Sequence, residues 1–334
     1  MASSMATDIL RFTQQYSLYS NSFTFIIGTT GNLLNILVFT TLKLFRNNQC
    51  VLYVVTESIA NIFQLTTFAL IFILTAIYQT DPATSSLFWC KFRSIMVSSC
   101  TLISFSTICL SASHQYLSTS PLLYLRQLST IKTARFLICA SVTISILLTI
   151  PFGIFLKIRA SICAVFNQTM LNYISYFYYP VLSGLLPVLI ASAFSFLAYN
   201  NVRRIVRRQI PIVRRKLDQQ LTAMILIRII VFIILTLPYD IQEMYTYIAK
   251  VNQSNLLYYA IINLIEAVLI TLFNLNYAAS FYVFMITSAR FRRQVKHVLV
   301  KNCWGRCKRW FLHSINKVHP IANTESPASS IALE

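Results

Sequence analysis

Seven stretches of this chain are long and apolar enough to cross a lipid bilayer, and that sets the fold class before any motif is read. A helix spanning the hydrocarbon needs about 20 mostly apolar residues. Runs of that kind occupy roughly 21–44, 51–78, 91–118, 134–157, 174–200, 221–249 and 256–286. They are continuous and lack the short polar–apolar alternation of barrel strands, so they predict helices. Composition agrees: 56% of the 334 residues are hydrophobic and 11% are charged, and mean hydropathy is +0.64. An average soluble domain carries about 25% charged residues, so the expected class is an all-α, multi-pass membrane protein. The net charge of +19 accompanies an apolar body with basic connecting segments, which suits a membrane surface; no nucleic-acid partner is expected.

The basic residues are unevenly shared between the two ends of the spans. One side receives Lys43, Arg46, Arg126, Lys132, Arg135, the cluster from Arg203 to Lys216 and the tail from Arg290 to Lys317. The other receives Arg11, Lys91, Arg93, Lys157, Arg159 and Lys250. The excess of Lys and Arg on the cytosolic side of membrane proteins predicts an outside N-terminus and a cytosolic C-terminus. The first eleven residues lack a basic segment followed by an apolar one, so no cleaved signal peptide is expected and the first span directs insertion. The organisation read from this is an extracellular arm (1–20), a helical body (21–300) and a cytoplasmic tail (301–334), placed in the plasma membrane.

Secondary features follow from that orientation. The sequons at Asn167 and Asn252 fall outside, where glycosylation occurs. Cys90 and Cys163 both face an oxidising compartment, so a disulfide between them is expected to pin the second outer loop. Cys303 and Cys307 sit beside Trp304 and Trp310 in a basic tail segment, a setting that suits palmitoylation. The basic segment 202–216 is expected to attract anionic lipid headgroups, at about 1 kcal/mol per residue, and to offer a positive face to a cytosolic partner.

Local signatures then point to a family. Gly31-Asn32 lies in the first span, and Tyr116 closes the third at the family's spacing from Cys90. Pro151, Pro187 and Pro238 fall in spans four, five and six, Phe232 precedes Pro238, and Phe291-Arg292 opens a basic amphipathic segment. Together with seven spans and a bridged outer loop, this resembles the rhodopsin-like G-protein-coupled receptors, and among them divergent invertebrate receptors for FMRFamide-like peptides. The resemblance implies a seven-helix bundle with a short eighth helix on the membrane surface, an extracellular ligand and a heterotrimeric G protein as partner. Several family motifs are altered. The Asp-Arg-Tyr triplet reads His114-Gln115-Tyr116, and the span-two aspartate is Asn61. The Cys-Trp-x-Pro motif reads Leu235-Thr236-Leu237-Pro238, and the Asn-Pro-x-x-Tyr motif becomes Ser280 to Phe284. The span-four tryptophan is Ser141.

Charges inside a bilayer cost about 2.5–3.5 kcal/mol each on insertion scales, so each needs a partner. Glu57 lies in span two and Arg228 in span six; by the resemblance they face each other in the inner half of the bundle. The expected arrangement is an ion pair, bridged by Gln115 or His114, that holds span six closed in place of the missing arginine. The alternative has Arg228 reaching to the headgroups with Glu57 neutral. Asn61, Ser104 and Asn276 resemble a family sodium site, but without a carboxylate at Asn61 they are expected to hydrogen-bond one another or water. His114 reads as a satisfied polar group at a helix end. The activation residues are thus Glu57, Asn61, His114, Gln115, Tyr116, Arg228, Phe232, Pro238, Ser280 and Phe284.

The short arm cannot fold as a ligand-capturing domain, so a ligand is expected between the helices, beneath the second outer loop. Val97 stands where the family's amine receptors carry aspartate, and span seven has no lysine for retinal. Asp240, Glu243 and Glu266, near Tyr245, Tyr247, Tyr258 and Tyr259, suit a cationic, partly apolar ligand such as an arginine-containing amidated peptide. Arg93 and Val97 complete the ligand set; the alternative is that Arg93, Lys157 or Lys250 neutralises the acids at the rim. The four histidines form no metal spacing, and no nucleophile motif or phosphate-cradling loop appears, so no metal, cofactor or catalytic residue is assigned. A transporter or channel, a receptor for a non-peptide chemosensory ligand, and a receptor without G-protein coupling remain the alternatives. Against the transporter stand the lack of internal repeats and a total of 5 glycines, too few for broken helices.

Overall fold

The computed structural model describes residues 2–41, 49–78, 80–160, 162–205, 212–249 and 256–300. Seven helices are long and apolar enough to cross a membrane: α1 (Ala2–Thr41), α2 (Gln49–Tyr78), α3 (Leu87–Thr119), α4 (Ile131–Phe155), α5, α6 (Ile212–Ala249) and α7 (Leu256–Thr287). The fifth is one rod built from Gln168–Tyr173, the π-helical Ile174–Leu185 and Leu186–Ile205. A hairpin of β1 (Leu156–Arg159) and β2 (Ile162–Val165) joins α4 to α5, pairing Ile158 with Cys163. A final helix, α8 (Ala289–His297), buries Phe291 and Val295 against Phe39, Phe281 and Phe284. Cys303, Cys307 and Asn252 lie outside the described residues, as do the side chains of Tyr247 and of most of the basic segment 202–216.

Helix starts follow polar caps readable in the sequence. Ser86 caps α3, Thr130 caps α4, Asn167 caps α5 and Ser288 caps α8, each accepting from the amide three residues on. Each cap satisfies one of the amide donors a helix start leaves unpaired. Within the spans, Thr56, Thr67, Thr75, Thr236, Thr271 and Thr287 fold their hydroxyls back onto carbonyls one turn earlier. That disposes of polar groups that hydrocarbon could not solvate.

Residues 2–20, read as an arm, continue α1, whose 40 residues make a rod of about 60 Å, about twice the hydrocarbon thickness. No Gly or Pro interrupts the chain before Gly28, so the turn started in the span propagates outward. Side-chain bonds also fix it there: Asn274 donates to Asn21 at 2.8 Å, and Ser20 meets Thr271 at 3.1 Å. Further along, α1 and α7 touch closely because Gly28 and Gly31 have no side chain. A Cβ on Gly28 would stand 2.9 Å from that of Ala278, and one on Gly31 3.2 Å from that of Phe281.

The bundle is apolar outside and polar within. Large hydrophobic side chains such as Phe136, Phe196 and Ile286 are exposed, while Asn32, Asn35, Asn61, Ser104, Asn274, Asn276 and Ser280 are buried. The buried aromatic centre is Phe105, in ring contact with Phe232 at 4.8 Å and Phe273 at 6.1 Å. The Cys90–Cys163 disulfide, with Cα atoms 6.0 Å apart, ties the hairpin to the start of α3. The two ends of the bundle are called below the disulfide end and the tail end.

Candidate functional site: two charged layers in the bundle

Toward the tail end, three helices converge on one guanidinium. Arg228 of α6 donates from Nη2 to Glu57 Oε1 of α2 at 2.8 Å and from Nε to the same oxygen at 3.2 Å. Its Nη1 donates to Asn276 Oδ1 of α7 at 2.7 Å, and Nη2 also reaches the Asn276 carbonyl at 3.2 Å. Glu57 is 4% exposed and Arg228 3%, so Arg228 does not reach out to the bundle surface. The planar fork of Arg suits such a divided task, one face to a carboxylate and another to an amide.

The bridge, however, is Asn276; among the described hydrogen bonds none joins Gln115 or His114 to the pair. Gln115 donates to Thr222 Oγ1 at 2.7 Å and accepts from Cys50 Sγ at 3.4 Å, tying α3 to α6 independently. Thr222 lies six residues before Arg228, about 9 Å along the helix, too far for one side chain to serve both. His114 shares a 2.7 Å bond with Ser129 through Nε2 and packs against Tyr53. Its buried Nδ1 has no hydrogen-bond partner among the described residues, so the expected satisfied group is served at one ring nitrogen only.

Asn61, Ser104 and Asn276 do not form a common cluster either. Ser104 donates to Asn61 Oδ1 at 2.8 Å and Asn61 to Asn32 Oδ1 at 3.3 Å, whereas Asn276 is committed to Arg228. The chain supplies its own cation to this hub. The other proposed switch residues are packed between helices. Tyr116 lies 5.6 Å from the Phe194 ring, Phe232 is fully buried, and Pro238 lies within α6. Asn35 donates to Ser280 at 3.0 Å, and Phe284 packs on Phe39 and Phe291, joining α7 to α1 and α8.

Toward the disulfide end lies a layer of the opposite character. Asp240 of α6 is 2% exposed and accepts from Ser183 Oγ of α5 at 2.9 Å. Its Oδ2 has no hydrogen-bond partner, and beside it Gly184 leaves room: an added Cβ there would stand 3.6 Å away. Glu243 interacts electrostatically with Asp240 and Glu266, and Tyr239 stands next to both glutamates. Among the described residues no Lys or Arg pairs with any of the three acids.

Arg93, placed by sequence in the ligand set or against these acids, pairs with none of the three. It is engaged with Asp81 at 2.7 Å, the residue that caps the short helix Pro82–Ser85. Asp81-Pro82 is a readable start signal, an N-cap followed by proline at the first helical position. Val97 is half-buried on α3, and Asn167 is exposed with its side chain capping α5 at 3.1 Å. Tyr245 and Tyr258 share a hydroxyl contact of 3.0 Å between α6 and α7. Ser183, Asn276 as the bridge, and Gly28 had no signal in the sequence that singled them out.

No model of a known protein family matches the chain, and no curated protein sequence does. The fold and its charged interior define a seven-helix, multi-pass membrane protein, in the general range of receptors and transporters.

Proposed function

We propose that the chain is a ligand-operated receptor of the rhodopsin-like G-protein-coupled kind, with its N-terminus and the disulfide end outside the plasma membrane. Its ligand is a cationic, amidated peptide seated at the acidic layer of Asp240, Glu243 and Glu266, and its partner at the tail end is a heterotrimeric G protein. The observation that carries this reading is the Glu57–Arg228–Asn276 tie. It fastens α6 to α2 and α7 through contacts that a shift of α6 would break together. Removing one partner of a buried pair costs about 3–5 kcal/mol, enough to move a closed–open equilibrium by a factor of a hundred or more at about 1.4 kcal/mol per tenfold.

The test is basal signalling in cells showing a surface-tagged receptor, read as cAMP and calcium. Arg228→Leu is expected to raise the basal level and the exchange Glu57→Arg with Arg228→Glu to lower it again. An unchanged basal level in both, at normal surface amounts, would sink the lock. A transporter is the second reading, favoured by the π-helical segment of α5 with Pro180 inside it, a helix irregularity of a kind frequent at functional sites. Substrate flux in proteoliposomes without agonist-evoked signalling would select it.

A further inference from the structure

A cavity of about 400 Å³ lies between α3, α4 and α5, away from both charged layers. Its mouth is flanked by Ile144 and Leu186, which are 55% and 43% exposed, so it opens sideways through the apolar surface of the bundle. It exists because the facing positions are small. Ser106 and Cys109 of α3 meet Ala140, Ser141 and Ser145 of α4, and Ser141 stands where the family resemblance expects tryptophan. Small residues normally let spans close up; here α3 and α4 meet at Ser106 and Ser141, and a hollow remains beside that contact, walled on its third side by Leu182, Leu186 and Ile190 of α5.

The polar groups in that hollow are unevenly served. Ser106 donates to the Ile103 carbonyl at 3.0 Å and lies 2.6 Å from Ser141 Oγ, which leaves acceptor capacity on Ser141. Ser145 lines the cavity and is 4% exposed. Its hydroxyl makes no hydrogen bond among the described residues, unlike the threonines that fold back onto their own helices. A hydroxyl without a partner in hydrocarbon costs several kcal/mol less once it finds one. No Lys, Arg, Asp or Glu lines the cavity, so its occupant is neutral. Apolar walls continue on both sides of the serines, with Leu148 and Leu182 toward the disulfide end and Leu110 and Leu137 toward the tail end.

From this we propose that the cavity is a binding site for a neutral lipid chain that carries a hydroxyl partway along its length. The molecule enters from the bilayer, and its hydroxyl bonds to Ser145 and Ser141 at mid-depth. The site is separate from the proposed ligand seat and does not depend on receptor signalling.

The test uses the full chain in membranes and a long-chain secondary alcohol bearing a photoreactive diazirine, with labelled peptides mapped by mass spectrometry. Labelling is expected to concentrate in 102–113 and 137–148 and to be displaced by the unlabelled alcohol. The same chain without its hydroxyl, and cholesterol, whose hydroxyl is terminal, should displace it about tenfold less well. Ser141→Trp should fill the hollow and abolish this labelling. Should that variant fail to reach the surface, Ser145→Ala, which removes one hydroxyl, should weaken displacement about fivefold, the size of a neutral hydrogen bond. Labelling spread evenly over the lipid-facing surfaces of α1 and α6 would overturn the proposal. So would equal displacement by the deoxy chain or cholesterol, or an unchanged Ser145→Ala.

Discussion

The two charged layers of the bundle differ in one respect: one contains its own cation and the other does not. Near the tail end, Arg228 meets Glu57 Oε1, Asn276 Oδ1 and the Asn276 carbonyl, and the layer is electrically closed. Near the disulfide end, three carboxyl groups gather with a serine and a tyrosine, and the Asp240 Oδ2 atom is without a partner. Both layers draw on α6, at Arg228 and Asp240, about 18 Å apart along the helix with Pro238 between them. A closed layer holds helices together. An open one is costly to bury and is relieved by something cationic from outside. Under the proposed reading, that contrast puts holding at one end of α6 and binding at the other.

The contrast can be broken most severely at the closed layer. Arg228→Leu or Glu57→Leu made singly should each cost about 3–5 kcal/mol, because each strands a buried charge, whereas Glu57→Leu with Arg228→Leu should recover most of it. Thermal melting of the purified protein in detergent reads this directly, and a double variant as unstable as the singles would mean that the pair does not act as a unit. The open layer should respond in the opposite sense. Asp240→Asn is expected to leave the melting temperature unchanged or raised, since it removes an uncompensated charge, yet to weaken binding of an arginine-containing amidated peptide about tenfold or more, at about 1.5–3 kcal/mol per charge-assisted bond. Equal binding by the variant would remove Asp240 from the seat. The smallest effect belongs to the rim pair Arg93–Asp81, whose side chains are 22% and 31% exposed. Arg93→Ala should cost under about 1 kcal/mol, and Asp81→Ala slightly more because it also removes a helix cap. A larger loss at Arg93 would show that the disulfide end is more tightly coupled than its exposure implies.

Much of this was legible in the sequence, for identifiable reasons. The spans follow from hydrophobic length. Glu57 and Arg228 were matched because the family resemblance sets them facing each other, and the cost of a charge in hydrocarbon makes a partner for each worth seeking. The failures share a cause as well. Gln115 and His114 were assigned to the pair by position in a motif, but which residue bridges depends on the rotation of α7, and that brought Asn276 to the guanidinium. Arg93 was read against the distant acids when Asp81, a near neighbour capping a turn, was within reach. The polar run 2–20 resembled an arm because hydropathy does not register a helix that continues past the bilayer.

What the sequence determined by itself is therefore what depends on local chemistry and on the solvent: that seven segments must span and that the charges within them must be answered. The tertiary structure decided which side chains answer them, since that depends on the relative rotation and closeness of helices far apart in the chain. The approach of α1 to α7 at Gly28, the closed layer around Arg228, the open one at Asp240 and the hollow beside Ser141 and Ser145 all arise there. Packing gave some polar groups a partner and left others without one.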